Sequence, residues 1–396
     1  RTTMVTNTPT ATLLEEALAH HQQNKLHEAE QLYRLILQRD DKHVDAIHLL
    51  GVLYHQKGLS EVAAQVIQQA IVLRPGFAEA HNNLGLVLES LNNLEGAEAA
   101  FTEALNLNPH NTKAKLTLGQ IIVRRDDLDR ALSFFQECIR ANPEIGEFHY
   151  CCGIIRGRLG QPEEALKAYE DSIRAKPDLS DAHSNLSVLC LELGRTQLAL
   201  EHAETAVSLM PGNAAYHYNL GNAQTALGFK EKAEKNFGEA LKISPGFFEA
   251  HCNLGNIASE LGNLDEAIRC YESAIELRPQ SPSPYNYLGA VFLDLQNYDR
   301  AAAMFSKALE RDPEYLDAYT NLGNLHIGMG AFEAALPWCK KAVSLSPANE
   351  IALNSLSLTL SELGRTEDAA DVLISGLEQK PDSPVLLQAI SNALLE

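Results

Sequence analysis

Apolar residues recur along this chain with a period of 34 residues, and within each period they follow helical spacing. When units are counted from Thr10, positions 3, 7, 10 and 14 are mostly apolar, which predicts a first helix with one buried face. Glycine at position 15 in several units, such as Gly160 and Gly262, predicts a left-handed residue that ends this helix. A second helix then runs to a proline near position 32, which cannot continue the hydrogen-bond ladder. Each unit is therefore predicted to be a pair of helices.

Three columns of the repeat are nearly constant. Position 20 is alanine in all eleven units, from Ala29 to Ala369, and position 8 is glycine, alanine or serine in each. We expect these small residues to lie where the two helices face each other, because a larger side chain would overpack the contact. The closing proline recurs at the same interval in ten units: Pro75, Pro109, Pro143, Pro177, Pro211, Pro245, Pro279, Pro313, Pro347 and Pro381. So regular a period indicates one repeated structural unit.

The repeat divides the chain into three predicted parts. Residues 1–9 are a polar, threonine-rich segment that we expect to be a flexible tail, and residues 1–3 resemble an expression remnant that precedes Met4. Residues 10–383 comprise eleven units of 34 residues. Residues 384–396 are predicted to form one further helix. Because Val385, Leu386 and Leu387 leave it apolar, this helix resembles the first half of a truncated twelfth repeat rather than a polar cap.

The charge balance disfavours several classes of partner. The chain has 32 Lys and Arg residues against 52 Asp and Glu residues, which gives a net charge of −20 at pH 7. Phosphate backbones and anionic lipids repel such a chain, so we expect no nucleic-acid partner and no membrane partner. Seven cysteines without a C-x-x-C pair predict free thiols in a reducing compartment, and hence a cytoplasmic protein.

Catalytic signatures are absent from the sequence. It contains no phosphate-binding G-x-x-x-x-G-K-[ST], no G-x-S-x-G and no H-E-x-x-H motif. The cluster nearest to a metal site is His149, Cys151 and Cys152, which lacks a fourth ligand and is better explained by packing. We therefore predict that this chain is not an enzyme and binds no metal and no cofactor.

The residues at fixed repeat positions resemble those of the tetratricopeptide repeat family. The resemblance lies in Leu-Gly at positions 7–8, alanine at 20, an aromatic residue at 24, alanine at 27 and proline at 32. It implies an all-α fold: a right-handed α-solenoid of about eleven helix pairs plus a C-terminal helix, with positions 2, 5, 6, 9, 12 and 13 of the first helices lining a concave groove. Position 4 departs from the family, and we expect its histidines to be packing residues rather than pH switches: His81, His149, His183, His217 and His251.

Asparagine recurs in the predicted groove. It occupies position 6 in five units and position 9 in three: Asn83, Asn185, Asn219, Asn253 and Asn321, with Asn222, Asn256 and Asn324. A carboxamide both accepts and donates hydrogen bonds, so a row of them can hold the backbone of an extended polypeptide without reading its side chains. The alternative interpretation is structural: the position-6 asparagine satisfies a neighbouring repeat or is a soluble filler.

A narrower resemblance supports the binding interpretation. The motif His-x-Asn-Leu-Gly-Asn, at 217–222 and again at 251–256, resembles the superhelix of O-linked N-acetylglucosamine transferases, whose asparagine ladder holds acceptor polypeptide. Segments 26–33 and 45–53 resemble bacterial proteins that place such repeats before a glycosyltransferase or sulfotransferase domain. The ladder is interrupted here, so we expect binding mainly from Ser180 to Asn324. The interruptions at position 6 are Leu49, Thr117, Cys151, Tyr287 and Ser355.

These observations predict a protein–protein interaction module that binds extended polypeptide, and in its narrower form the substrate-recognition part of a protein glycosyltransferase-like enzyme. A charge clamp for a terminal carboxylate is disfavoured, because position 5 has no lysine and Lys113 at position 2 is isolated. The alternative is a self-associating assembly scaffold, and hence a homo-oligomer, since exposed apolar groove residues mark contact sites. Those residues are Val52, Leu86, Ile154, Val188 and Leu191.

Overall fold

The computed structural model describes residues 8–393, and within them the chain forms 23 helices and no strand. The first helix of each pair has 13 residues and the second has 14. The prediction of an all-α solenoid is confirmed. Most of the predicted N-terminal tail and the last three residues of the predicted terminal helix lie outside the described residues.

The helices are numbered in chain order. Their bounds are α1 Thr10–Gln22, α2 Leu26–Arg39, α3 Val44–Gln56, α4 Ser60–Leu73, α5 Ala78–Ser90, α6 Leu94–Leu107, α7 Thr112–Arg124, α8 Leu128–Ala141, α9 Gly146–Arg158, α10 Pro162–Ala175, α11 Ser180–Glu192, α12 Thr196–Leu209, α13 Ala214–Ala226, α14 Lys230–Ile243, α15 Phe248–Glu260, α16 Leu264–Leu277, α17 Pro282–Asp294, α18 Tyr298–Arg311, α19 Leu316–Gly328, α20 Phe332–Leu345, α21 Glu350–Glu362, α22 Thr366–Gln379 and α23 Pro384–Ala393.

The chain divides into two compact bodies, one ending at Leu186 and the other beginning at Ser187. Within each body a helix packs against the helices before and after it in the chain, and first helices of successive pairs also touch. Such nearest-neighbour packing is what allows short helices to be stable, because an isolated helix of this length is marginal in water.

The turn inside each pair has one fixed geometry. The residue at position 15 has a positive φ in all eleven pairs, between +56° and +79°. Seven of these residues are glycine, as the sequence predicts. The other four are Asn24, Asn92, Asp126 and Gln296. Three of the four are Asn or Asp, which tolerate this conformation better than other side chains.

Close packing within each pair rests on position 8. Alanine at position 20 is fully buried in every pair, but the glycine at position 8 makes room mainly for the side chain at position 24. A Cβ atom built on Gly221 would lie 2.6 Å from Cε1 of Phe237, and one on Gly119 would lie 2.1 Å from Cζ of Phe135. Both rings are fully buried, so they cannot move aside freely.

The position-4 histidines form hydrogen bonds between successive helix pairs. In each of the five, Nε2 lies 2.9–3.1 Å from the carbonyl oxygen of the proline six residues earlier, as in His217 with Pro211. The ring nitrogen must donate, because a carbonyl oxygen only accepts. Tyr285 and Tyr319 donate their hydroxyls to the corresponding proline carbonyls at 3.2 and 3.0 Å. Each of these histidines therefore links its helix pair to the preceding pair through a hydrogen bond. This role is more specific than the packing role expected from the sequence.

The glycine contact predicts opposite effects for two Gly→Ala substitutions in neighbouring helices. Gly221→Ala should destabilise the protein by about 1–2 kcal/mol, because the new methyl group overpacks against Phe237 and outweighs the gain in helix propensity. The matched control is Gly238→Ala in α14, where no atom lies within 4 Å of the new Cβ, and it should stabilise by about 0.5–1 kcal/mol. Urea unfolding measures both; two changes of the same sign would contradict the packing account.

Candidate functional site

In each of the two bodies, the asparagines predicted to bind peptide lie on the same side of their first helices. We call this surface the first-helix face and define it as the side chains at positions 2, 5, 6, 9, 12 and 13 of those helices. All eight side chains are half-buried there, so each touches neighbouring side chains and remains open to a ligand.

In the N-terminal body the position-6 amides bond to the preceding repeat. Nδ2 of Asn83 lies 2.8 Å from Nε2 of His48, and Nδ2 of Asn185 donates to the hydroxyl of Tyr150 at 3.2 Å. Both partners occupy position 5 of the repeat before. The amide thus links two successive first helices across the first-helix face.

The C-terminal body repeats this arrangement. Nδ2 of Asn253 donates to the hydroxyl of Tyr218 at 3.3 Å and to Oδ1 of Asn222 at 2.8 Å. Nδ2 of Asn321 donates to Oδ1 of Asn286 at 2.9 Å. Tyr218 and Asn286 again occupy position 5. The position-5 partner is a functional feature that sequence reasoning missed, although polar residues 35 positions before these asparagines were a readable signal.

The position-9 asparagines are held in different ways. Asn222 accepts from the next repeat, as above, and Oδ1 of Asn324 accepts from the hydroxyl of Ser355 at 2.7 Å. Oδ1 of Asn256 instead accepts from Tyr271 of its own repeat at 2.7 Å. The expected pairs at positions 6 and 9 of one helix therefore do not act as matched units.

Three of the four position-6 amides that bridge repeats share one hydrogen-bonding pattern, whereas Oδ1 of the fourth, Asn83, accepts from Nδ2 of Asn82 at 3.5 Å. All the hydrogen bonds that the structure shows for Asn185, Asn253 and Asn321 run through Nδ2. The three side chains are half-buried, and an amide oxygen accepts hydrogen bonds, so these Oδ1 atoms are candidate acceptors for a ligand.

Two interruptions of the ladder turn the face of α7 and α9 apolar. The hydroxyl of Thr117 donates to its own helix, at the carbonyl of Lys113, 3.1 Å away. Cys151 is buried, and burial raises the pKa of its thiol to about 12. The half-buried side chains of Leu116, Tyr150 and Ile154 line a cavity of about 460 Å³ at this place.

The cysteines and the position-4 histidine next to them have structural surroundings. All seven cysteines are buried free thiols. Burial raises the pKa of Cys152 to about 11, so this thiol is protonated at neutral pH and is a poor nucleophile. Nε2 of His149 bonds to the carbonyl of Pro143 at 3.0 Å. Within residues 8–393, no group of three or more His, Cys, Asp or Glu side chains is arranged to hold a metal ion.

Comparison with protein-family models identifies the repeats. Three models described as tetratricopeptide repeat match the chain: one at 14–76, 153–216 and 288–350, a second at 78–111 and 248–281, and a third at 214–247. Together they cover most of its length, and the chain belongs to the tetratricopeptide repeat family. A search of curated proteins found no significant match.

One solved structure shares the fold over nearly the whole chain. The structure of the APC/C hetero-tetramer Cut9–Hcn1 is 13% identical with a TM-score of 0.52, covering 99% of this chain and 98% of that one. Yeast Tom70 is 14% identical with a TM-score of 0.49, covering 98% and 95%. YrrB, described as a TPR protein with an unusual peptide-binding site, is 22% identical with a TM-score of 0.40, covering 48% and 98%.

Family membership sets the broad class of function. Tetratricopeptide repeats mediate protein–protein interactions and scaffolding, and an array of such repeats is typical of non-catalytic interaction modules. In the part of the chain that the structure describes, no helix has both the length and the apolar character needed to cross a membrane.

The bond between His48 and Asn83 predicts a pH dependence of stability. Burial lowers the pKa of His48, against the charges of Glu79 and Asp45 that raise it; Arg74 also lowers it. The unfolded chain therefore binds a proton near pH 6.5 while the folded ring stays neutral, so stability should fall as the pH falls through this value. His48→Gln cannot titrate, and its melting temperature should fall less than that of the wild type between about pH 7.5 and 5.5. If the melting temperatures of the two proteins fall equally with pH, His48 contributes nothing to the pH dependence of stability.

Proposed function

We propose that this chain is a receptor for extended polypeptide, which lies along the first-helix face and is held through its backbone by the asparagines at positions 6 and 9. The observation that supports the proposal is the common hydrogen-bonding pattern of three bridging amides. Asn185, Asn253 and Asn321 use Nδ2 to bind the preceding repeat, and their Oδ1 atoms accept peptide N–H groups.

The bonds between repeats serve this function rather than compete with it. Without Tyr218 and Asn222, the amide of Asn253 would rotate freely and would lose side-chain entropy on binding. Held in advance, it presents its oxygen at no further cost. The structural and the binding interpretations of the ladder are therefore two halves of one arrangement, in which the neighbouring repeat orients the binding group.

A narrower form of the proposal concerns the destination of the polypeptide. The motif at 217–222 and 251–256 resembles the acceptor-binding superhelix of O-linked N-acetylglucosamine transferases. Backbone recognition suits that task, because one enzyme must accept many sequences. We propose that the polypeptide held here is an acceptor presented to a glycosyltransferase-like enzyme.

The ladder yields a direct test of binding. The double variant Asn219→Ala, Asn253→Ala should bind an extended peptide about 1–3 kcal/mol more weakly than the wild type, because each lost hydrogen bond costs about 0.5–1.5 kcal/mol. Raising the salt concentration should have little effect, since peptide N–H groups are neutral. Fluorescence anisotropy with a random-sequence peptide pool measures both effects.

A matched control separates binding from structure. Tyr218→Phe removes the hydroxyl that accepts from Asn253 but keeps the ring and both asparagines. It should unfold slightly more easily than the wild type while retaining most of its peptide affinity. If Tyr218→Phe and the double variant lose affinity equally, or if the double variant loses none, the asparagines act only as structural links.

The scaffold alternative is favoured by one observation in the C-terminal body. Ile351 and Leu358 lie on the first-helix face of α21, at positions 2 and 9, and are 61% and 44% exposed. Exposed apolar side chains that lie together mark contact surfaces between proteins. A second copy of the chain could bury them.

Light scattering distinguishes the scaffold from the receptor. The average molar mass of a scaffold should increase with protein concentration, and Leu358→Ser should abolish that increase. A peptide receptor should keep one mass over the same range. A concentration-independent mass would leave the receptor as the function that fits the chain.

A further inference from the structure

The cavity lined by residues of α5, α7, α8, α9 and α11 lies within the N-terminal body. Its volume is about 460 Å³, within the range of about 300–1,000 Å³ typical of ligand pockets. Its apolar lining includes Leu116, Val123, Tyr150 and Ile154. These residues occupy positions 5, 9 and 12, so the cavity opens on the first-helix face.

Contacts within the protein hold the wall of this cavity in place. The hydroxyl of Tyr150 accepts from Asn185 at 3.2 Å, and its ring centroid lies 6.0 Å from that of Tyr169. Leu116 and Val123 pack against a core cluster that includes Phe135 and Phe148. A ligand that enters therefore buries apolar surface without first ordering the pocket.

Charges at the rim are predominantly negative. The lining includes three carboxylates, Glu89, Glu147 and Asp181, and one cation, Arg124. Nη1 of Arg124 lies 2.8 Å from Glu89, and Glu147 accepts from Nζ of Lys176 at 2.6 Å, outside the lining. On a chain of net charge −20, this rim favours a basic ligand.

We propose that the cavity is an anchor pocket for a large apolar side chain of the bound polypeptide, flanked in that polypeptide by Lys or Arg. The inference rests on the proposed function and names its substrate class. The asparagine ladder supplies affinity for any extended backbone, whereas the pocket selects segments in which an apolar residue lies beside a basic one. The receptor then recognises side chains of the bound polypeptide where the ladder is interrupted, at Thr117 and Cys151.

Three fluorescent Ser-rich peptides test the preference. They differ only at their centres, which are Lys-Phe-Lys, Lys-Ala-Lys and Glu-Phe-Glu. The wild type should bind Lys-Phe-Lys at least about tenfold more tightly than Lys-Ala-Lys, because burying a phenylalanine is worth that much. It should also bind Lys-Phe-Lys more tightly than Glu-Phe-Glu at low salt. Equal affinity within either comparison would overturn the proposal.

A pair of variants at the same repeat position locates the effect. Ile154 and Val52 are both half-buried at position 9 of a first helix in the N-terminal body, but only Ile154 lines the cavity. Ile154→Ser should abolish the preference for phenylalanine over alanine, and Val52→Ser should keep it. Loss of the preference in both variants, or in neither, would overturn the assignment.

Cross-linking keeps the test valid if Ile154→Ser fails to fold. With benzoylphenylalanine in place of the central phenylalanine, the wild type should become cross-linked at Leu116, Val123, Tyr150 or Ile154. Cross-links confined to other residues would overturn the proposal.

The Asn83→Ala variant separates this proposal from the proposed function, because Asn83 belongs to the ladder of the N-terminal body but does not line the cavity. If the ladder holds the backbone, this variant weakens Lys-Phe-Lys and Lys-Ala-Lys equally and leaves their ratio unchanged. Peptides that bind without regard to phenylalanine overturn the pocket alone. Cross-linking in the pocket with no effect of Asn83→Ala overturns the ladder alone, and no binding to any peptide overturns both.

Discussion

The rest of the structure depends on the contact between the small residue at position 8 and the side chain at position 24. In six pairs a glycine lies against an aromatic ring, so close that a Cβ would come within 3 Å of it. This contact fixes the separation of the two helices in each pair. Tyr271 links this contact between positions 8 and 24 to the surface. Its ring packs on Gly255, and its hydroxyl donates to Asn256 on the first-helix face. Core packing thus helps to hold a side chain of the proposed binding face.

Much of the fold could be predicted because the same residue types recur at the same structural positions of each repeat. Alanine at position 20 is buried throughout, and the left-handed turn falls where the glycines indicate. The sequence did not reveal that Gln296 must also adopt a positive φ, since nothing in glutamine favours it. The turn between α17 and α18 has the same geometry as the turn in the other pairs, and Gln296 occupies its left-handed position. The sequence also did not show which larger side chain packs against the small residue at position 8 and which packs against the alanine at position 20.

The candidate site was predictable in position but not in its bonds. The tetratricopeptide resemblance implied that Asn253 and Asn321 lie on the first-helix face, and helical spacing agrees because it separates position 6 from the buried stripe. Their partners at position 5 lie one repeat earlier, and whether Nδ2 or Oδ1 faces them depends on rotamers that a sequence does not show. The cavity beside Ile154 was harder to predict, since five helices contribute its walls and it lies where the motif is interrupted.

The central claim is that Oδ1 atoms of the ladder accept N–H groups of a bound backbone. Replacing amides by esters in the Lys-Phe-Lys peptide removes N–H donors while keeping every side chain and nearly the same shape. Affinity measured by calorimetry should fall by about 0.5–1.5 kcal/mol for each amide that lies on an asparagine, and by far less for amides elsewhere. An ester peptide that binds as tightly as its amide parent at every position would contradict the account.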